Sequence, residues 1–274
     1  MQSSLRIAFI GGGNMAGALI SGLVKKLATP TQIHVIDLNP ESLQNLVKRY
    51  GVSTNPVIDA QLQEVDVIVL AVKPQQLHTV AASLLPFVKN QLILSVAAGI
   101  RAADLSRWLG AYAKIVRAMP NTPAMLGLGM SGLYAMKAVS EDERALAQHI
   151  MQAVGETLWV DQESMIDAVT AVSGSGPAYV FYFIEALQEA AQQLGFDAAQ
   201  ARQLALATFN GAAQLAKQSD ETVSTLRERV TSKGGTTYAA LCSMDASAVK
   251  PAIHQAVQAA AQRGKELGDE FGQN

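Results

Sequence analysis

Much that commonly betrays a protein's chemistry is scarce in this chain. Its 274 residues include a single cysteine, Cys242, which excludes an intramolecular disulfide and leaves no cysteine cluster for a metal, so no metal site is expected. Only 16% of residues are charged and 5% aromatic, and the formal net charge is −2. That balance provides no electrostatic footprint for nucleic acid or an anionic membrane as partner. No apolar run reaches the roughly 18 residues of a bilayer span. Leu5–Ile10 is apolar but too short for a secretory signal and runs straight into a glycine turn. Together with the lone cysteine this points to a cytoplasmic protein. Low-complexity segments and internal repeats are missing too. Apolar residues are plentiful, at 49%, enough for a sizeable core.

Apolar runs alternate with helical patterns through the first part of the chain. Leu5–Ile10, Gln32–Ile36, Val65–Val72, Gln91–Val96 and Ile115–Met119 read as buried strands. Met15–Leu27 and Glu41–Tyr50 read as helices, the second introduced by Asn39-Pro40. Strands separated by helices predict a parallel sheet with crossover connections. After about Asp161 strand signals stop, and Tyr179–Leu194, Ala198–Lys217 and Ala248–Leu267 read as Ala-rich helices. Tyr179–Ile184 is apolar on every side, which predicts a helix buried all round. The expected fold is α/β: a Rossmann-like dinucleotide-binding domain over residues 1–162, then an all-helical domain over 163–274. The Ala-rich helices suit close packing against a second copy, so a homodimer is expected.

Gly11-Gly12-Gly13-Asn14-Met15-Ala16 fits G-x-G-x-x-A between a strand and a helix. In this context Gly11 makes the tight turn, Gly13 lets a pyrophosphate approach the backbone, and Ala16 lets helix and strand pack closely. Asp37 falls at the end of the second strand, where an acid binds the adenosine ribose 2′-hydroxyl of NAD, or else it starts the Asp37–Pro40 turn. No Arg or Lys lies in Leu38–Leu43 to meet a 2′-phosphate, although Lys48 and Arg49 follow one helix later. Asn39 is a second candidate for the ribose or a phosphate. Ala71-Val72-Lys73-Pro74 ends the third strand and should border the cofactor.

Three further blocks stand out. Met119-Pro120-Asn121-Thr122-Pro123 is a corner fixed by two prolines at a strand's carboxyl end. Ser173-Gly174-Ser175-Gly176-Pro177-Ala178-Tyr179 reads as a helix start, with Ser175 as cap and Pro177 in the first turn. Val230–Ala240 places Gly234 and Gly235 with hydroxyl residues ahead of a helix-forming run, a seat for a small anion.

In order and spacing, Gly11–Ala16, Ala71–Pro74, Met119–Pro123, Ser173–Tyr179 and Val230–Ala240 resemble the blocks of pyrroline-5-carboxylate reductases. The resemblance covers nearly the whole chain, and Val230–Ala240 corresponds to that family's signature. It implies reduction of Δ1-pyrroline-5-carboxylate to L-proline with NADPH or NADH, the last step of proline biosynthesis. It also implies a Rossmann domain with a helical dimerisation domain, an active site at the dimer interface, and in some members rings of dimers. By the same resemblance Ile10, Gly11, Gly12, Gly13, Asn14 and Met15 form the pyrophosphate loop, and Asn39 lies near the adenosine ribose. Ala71, Val72, Lys73 and Pro74 lie beside the nicotinamide half, with Val96, Ala97 and Ala98 at the next strand end. Thr236 and Thr237 are the substrate-binding pair, beside Gly234 and Gly235, and Asp220 stands where an acidic substrate-site residue is expected. Lys233 departs from the family's usual proline. Asp37, with no basic residue just after it, departs from an NADPH preference, so the expected cofactor is NADP(H), with NAD(H) possible.

Reducing a C=N bond needs a hydride on carbon and a proton on nitrogen, and a protonated imine is already electrophilic. His34, His78, His149 and His254 fall in none of the motifs, which suits imine reduction better than ketone reduction, where a general acid contributes. The expected roles are a carboxylate seat at Gly234–Thr237 and a Thr237 hydroxyl on the ring nitrogen. Two other readings remain at this level: a β-hydroxyacid dehydrogenase using Lys217 or Lys233 as acid, and a non-catalytic NAD(P)H sensor.

Overall fold

The computed structural model describes residues 5–272. These fall into two compact units: the residues up to Ser175 together with those from Ala260 on, and Gly176–Ala259.

The first unit is built on strands β1 (Ile7–Ile10), β2 (Ile33–Ile36), β3 (Ser53–Asn55), β4 (Val67–Leu70), β5 (Leu92–Ser95), β6 (Ile115–Met119), β7 (Gly129–Ala135) and β8 (Gly155–Trp159). They form one sheet in the order β3-β2-β1-β4-β5-β6-β7-β8. All pairings are parallel except that of β6 with β7. Every residue of β1, β2, β4 and β5 is buried, which is why these strands read as mainly apolar runs, broken only by His34 and Ser95: helices cover both faces. Helices α1 (Asn14–Lys26), α2 (Pro40–Tyr50) and α5 (Glu141–Gln152) supply one core, with Phe9, Leu19, Leu23 and Ile150. Helices α3 (Pro74–Leu84) and α4 (Ala102–Trp108) supply the other, with Ile68, Leu77 and Leu105.

Three strands escape the pattern of apolar runs. β3 is a polar edge strand, and β8 alternates half-buried with exposed residues. β7 holds glycines where its neighbours press close: a Cβ on Gly132 would come within 2.7 Å of Val169, and one on Gly129 within 2.9 Å of Ala124. Packing there outweighs β-propensity.

The compact units divide at Ser175, not after residue 162. The short helix α6 (Met165–Val169) packs on β6 and β7 with Ile166 buried. The buried Arg117 guanidinium pairs with Glu163 and Asp167, each at 3.2 Å. A π-helical stretch, Thr170–Gly174, leads on to α7 (Gly176–Gln193). Ser175 is therefore not a helix cap. Its backbone lies in the α region, at φ −84° and ψ −19°, and its N–H closes the π-helical stretch by donating to the Thr170 carbonyl at 2.8 Å.

The second unit contains α7, α8 (Ala198–Gln218), α9 (Val223–Arg229), α10 (Thr236–Ala246) and the first part of α11 (Val249–Gly272). α7 packs along α8, whose start is closed by a capping box between Asp197 and Gln200. The expectation that Tyr179–Ile184 is buried all round is corrected: Phe181 is 64% and Tyr182 70% exposed in the single chain. The apolar pattern records that this surface needs cover, and the chain itself does not supply it.

His34 on β2 is buried, its Nδ1 hydrogen-bonded to Ser53 Oγ at 2.8 Å. Its Nε2 has no hydrogen-bond partner and stands 3.8 Å from the Asp59 carboxylate, which also accepts from Asn55 Nδ2. Burial lowers the His34 pKa from 6.5, and the charge of Asp59 offsets this only in part. A lowered pKa means that below pH 6.5 the unfolded chain binds the proton more readily than the folded one. Stability is therefore expected to be full above pH 6.5 and to fall as the pH drops below it. Urea unfolding between pH 5 and 8 should show this slope, and His34→Gln should flatten it. A His34-dependent gain in stability on acidification would mean that the ion pair with Asp59 wins instead.

Candidate active site

Sheet order places a switch point between β1 and β4, and the site begins there. The parallel ladder extends one step beyond each strand. Gly11 N–H donates to the Ile36 carbonyl at 2.8 Å, Ala71 N–H to Ile10 at 2.8 Å, and Val96 N–H to Leu70 at 3.0 Å. Three of the sequence blocks, Ile10–Met15, Ala71–Pro74 and Val96–Ala98, are thereby brought side by side at the carboxyl edge. Gly11 has φ +101°, and a Cβ there would come within 2.7 Å of the Ala71 carbonyl, so only glycine fits. Gly13 precedes α1 in extended conformation, with no side-chain cap and nothing within 4 Å of where a Cβ would stand. Gly12, Gly13 and Asn14, at the start of α1, line an open cavity, as a pyrophosphate seat requires. The residues present fit a dinucleotide.

Asp37 does more than end β2. One carboxylate oxygen accepts from Gly12 N–H at 2.5 Å and the other from Asn39 N–H at 2.8 Å. Asn39 caps α2, its Oδ1 accepting from Glu41 N–H at 3.0 Å, and Ser42 Oγ donates to the Gly12 carbonyl at 2.7 Å. The glycine loop and the β2–α2 turn thus form one hydrogen-bonded assembly. Ser42 was missed by the sequence reading, since a serine in a helix's first turn looks like any other. A cavity of about 450 Å³ opens beside the loop, lined by Gly13, Asn14, Asn39, Asn45 and Arg49 among others. Arg49, remote from Asp37 in sequence, therefore shares a cavity with Asn39.

The proline-fixed corner is tied to the π-helical stretch. Asn121 Nδ2 donates to both the Ser173 carbonyl and Ser173 Oγ at 3.2 Å, and its Oδ1 accepts from Met130 N–H at 2.9 Å. Pro177 has no N–H to give the carbonyl four residues before it, that of Ser173, and Asn121 fills that vacancy. The corner and the start of the second block are thereby tied within the first unit, a link that no local sequence signal carries.

In the second unit Gly234 has φ +73°, and Gly235 precedes α10 in extended conformation with no side-chain cap. Gly235 N–H turns back to the Ser232 carbonyl at 2.9 Å, and Thr231 Oγ1 donates to Arg227 O at 2.6 Å. The first-turn N–H groups of α10, on Thr236 and Thr237, are left to an outside acceptor. Thr237 is half-buried and Thr236 exposed. Asp220 is exposed between α8 and α9, Lys233 is exposed before α10, and Lys217 lies in the last turn of α8. Lys73 precedes α3 with its side chain exposed. Among the described residues no three His, Cys, Asp or Glu side chains cluster in a way that could hold a metal ion, and no helix is long and apolar enough to cross a membrane.

Comparison with known proteins covers the same ground. Residues 163–267 match the family model described as pyrroline-5-carboxylate reductase dimerisation, and residues 6–99 one described as NADP oxidoreductase, coenzyme F420-dependent. The pyrroline-5-carboxylate reductase of Pseudomonas aeruginosa is 44% identical over 273 residues, covering 99% of this chain and 100% of that protein. The structure of a pyrroline-5-carboxylate reductase from Coxiella burnetii superposes with a TM-score of 0.91 at 40% identity, over 97% of this chain and 99% of that one. That of a Plasmodium falciparum pyrroline carboxylate reductase with NADP bound gives 0.86 at 28% identity, over 98% and 100%. Similarity of this extent, running through both units, places the chain in the pyrroline-5-carboxylate reductase family.

Proposed function

We infer that this protein reduces Δ1-pyrroline-5-carboxylate to L-proline with NAD(P)H, the last step of proline biosynthesis. The observation that carries the reading is end-to-end similarity to reductases of that name, joined to a glycine loop whose geometry suits a dinucleotide. NAD(P)H, when bound, supplies the hydride that forms the new C–H bond at the imine carbon. Ile10–Met15 hold the pyrophosphate, Asp37 and Asn39 border the adenosine ribose, and Ala71–Pro74 with Val96–Ala98 border the nicotinamide half. The first-turn N–H groups of α10, behind Gly234 and Gly235, hold the substrate carboxylate with the help of the helix dipole. Thr237 Oγ1 hydrogen-bonds the ring nitrogen, and Asp220 adds a carboxylate on the substrate side. Holding both partners in reacting geometry is the main work of such a site.

NADP(H) is the proposed cofactor, with NAD(H) accepted as well. The Plasmodium relative carries NADP, and Arg49 lines the cavity that Asn39 borders. Against a strict NADPH preference stands the Asp37 carboxylate, which would repel a 2′-phosphate. We propose a homodimer as the working unit: Val180, Phe181, Tyr182 and Leu187 of α7 are exposed in the single chain, and larger rings of dimers are compatible with it. The lone, exposed Cys242 suits a reducing cytoplasm.

Initial rates on pyrroline-5-carboxylate with each cofactor test the reading directly. Turnover with both is expected, and Asp37→Asn, which keeps a hydrogen-bond acceptor for Gly12, should move the kcat/KM ratio several-fold toward NADPH. No imine reduction with either would refute the assignment. Thr237→Ala should lower kcat/KM by more than about tenfold while Thr237→Ser retains most of it; near-normal turnover in the alanine variant would remove the role. Light scattering should give at least twice the chain mass, reduced by Phe181→Asp. An unchanged mass in that variant would place the interface elsewhere.

A further inference from the structure

The loop between β5 and α4 is held from an unexpected quarter. Its root is tied to the sheet by Val96 N–H on the Leu70 carbonyl. Its far end is tied by Ala102 N–H, which donates to Glu163 Oε1 at 2.6 Å, the same carboxylate that pairs with buried Arg117. Between these anchors the chain leaves Ala98 through Gly99, which has φ +73°. Over Gly99 lie Phe271 and Leu267 of α11: a Cβ at Gly99 would come within 3.1 Å of the Phe271 ring and 3.3 Å of Leu267 Cβ. Arg101 lies across Gly268, whose Cβ would come within 3.1 Å of the guanidinium, and donates to Asp269 Oδ1 at 2.6 Å.

Glycine is unfavourable within a helix, yet the end of α11 carries Gly264, Gly268 and Gly272 on one face. Two mark close approaches, Gly268 to Arg101 and Gly272 to Asp104, while a Cβ at Gly264 would meet Asp167 at ordinary contact distance. Arg107 Nη2 closes the helix end by donating to the Gly272 carbonyl at 2.7 Å. These residues belong to the first unit together with the loop they cover.

We propose that the last turns of α11, through Phe271 on Gly99 and Asp269 on Arg101, position the β5–α4 loop so that Val96–Ala98 meet the nicotinamide half of the cofactor. Phe271 and Asp269 are positioning residues and touch no reacting atom. The proposal rests on the cofactor assignment of Val96–Ala98 made above.

The test uses the full-length enzyme, with NADPH affinity read from nicotinamide fluorescence and KM measured for both substrates. Phe271→Ala is expected to raise the Kd and KM for NADPH about tenfold, with the KM for pyrroline-5-carboxylate and the oligomeric mass unchanged. Phe271→Leu should restore most of the loss, and Asp269→Asn should shift the same constants in the same direction. A lowered Tm with an unchanged Kd, or an equal rise in both KM values, would reduce the contact to ordinary packing and overturn the proposal. Ala98→Leu separates the two layers of argument. If it leaves the NADPH Kd unchanged, the loop does not border the cofactor and the underlying assignment fails. If it raises the Kd while Phe271→Ala does not, the assignment stands and the positioning role fails.

Discussion

The contact on which the rest of the first unit turns is the approach of Gly11 to the Ala71 carbonyl. A side chain at Gly11 would come within 2.7 Å of that carbonyl and would be strained at φ +101°. This one close approach lets β1 and β4 finish side by side before their chains part in opposite directions across the sheet. The crevice at the switch point, the direction of α1 and the proximity of Ala71–Pro74 to the glycine loop follow from it. Asp37 then fixes the loop laterally through Gly12 N–H. Its carboxylate is at once a structural brace and the charge proposed to border the ribose, so cofactor preference and loop geometry are not independent properties here.

The second unit obeys a different constraint. Its helices are rich in alanine, and its largest apolar side chains, Phe181 and Tyr182 among them, stand exposed. A unit of that composition cannot bury enough surface alone. Small side chains let helices approach closely, and large ones left outside need a partner surface. That demand is the physical content behind the proposed dimer.

How far the sequence could be read follows the same physics. β1, β2, β4, β5 and β6 were legible because burial on both faces leaves mainly apolar runs, with His34, Ser95 and Arg117 the polar residues in them, and the glycine turn was legible because its place between strand and helix is local. β3 was not, since a polar edge strand resembles a loop, nor was β7, whose Gly129 makes room for nearby Ala124 and whose Gly132 answers to Val169 far along the chain. Position at the end of β2 singled out Asp37, but its partners Gly12 and Asn39 appear only in three dimensions. Ser175 misled because Ser-Gly-Pro is a sound helix start in isolation, and only the π-helical stretch before it removes the need for a cap. The bond from Asn121 to Ser173 compensates a proline 56 residues later in the chain, Pro177. No window of sequence contains both halves of that exchange.

The helix starts themselves sort by task. Side chains close α2, α5, α8 and α9, namely Asn39, Ser140, Asp197 and Thr222, and Glu163 reaches across to close α4. α7 follows the π-helical stretch after one residue, Ser175, and α11 begins just after Ala248, which has φ +53°. Among the helices entered from extended backbone, the starts with no side-chain hydrogen bond are those of α1, α3 and α10. These three are the ones assigned to ligands: the pyrophosphate at α1, the nicotinamide side at α3, the substrate carboxylate at α10. An unclosed first turn costs stability in a protein that otherwise caps its helices with care. Leaving it open is reasonable only where an outside acceptor completes it. For a substrate that carries a carboxylate and needs no metal or motif histidine, backbone N–H groups offer fixed positive ends that do not titrate. Binding by such groups would hold over a wider pH range than binding by an ionisable side chain.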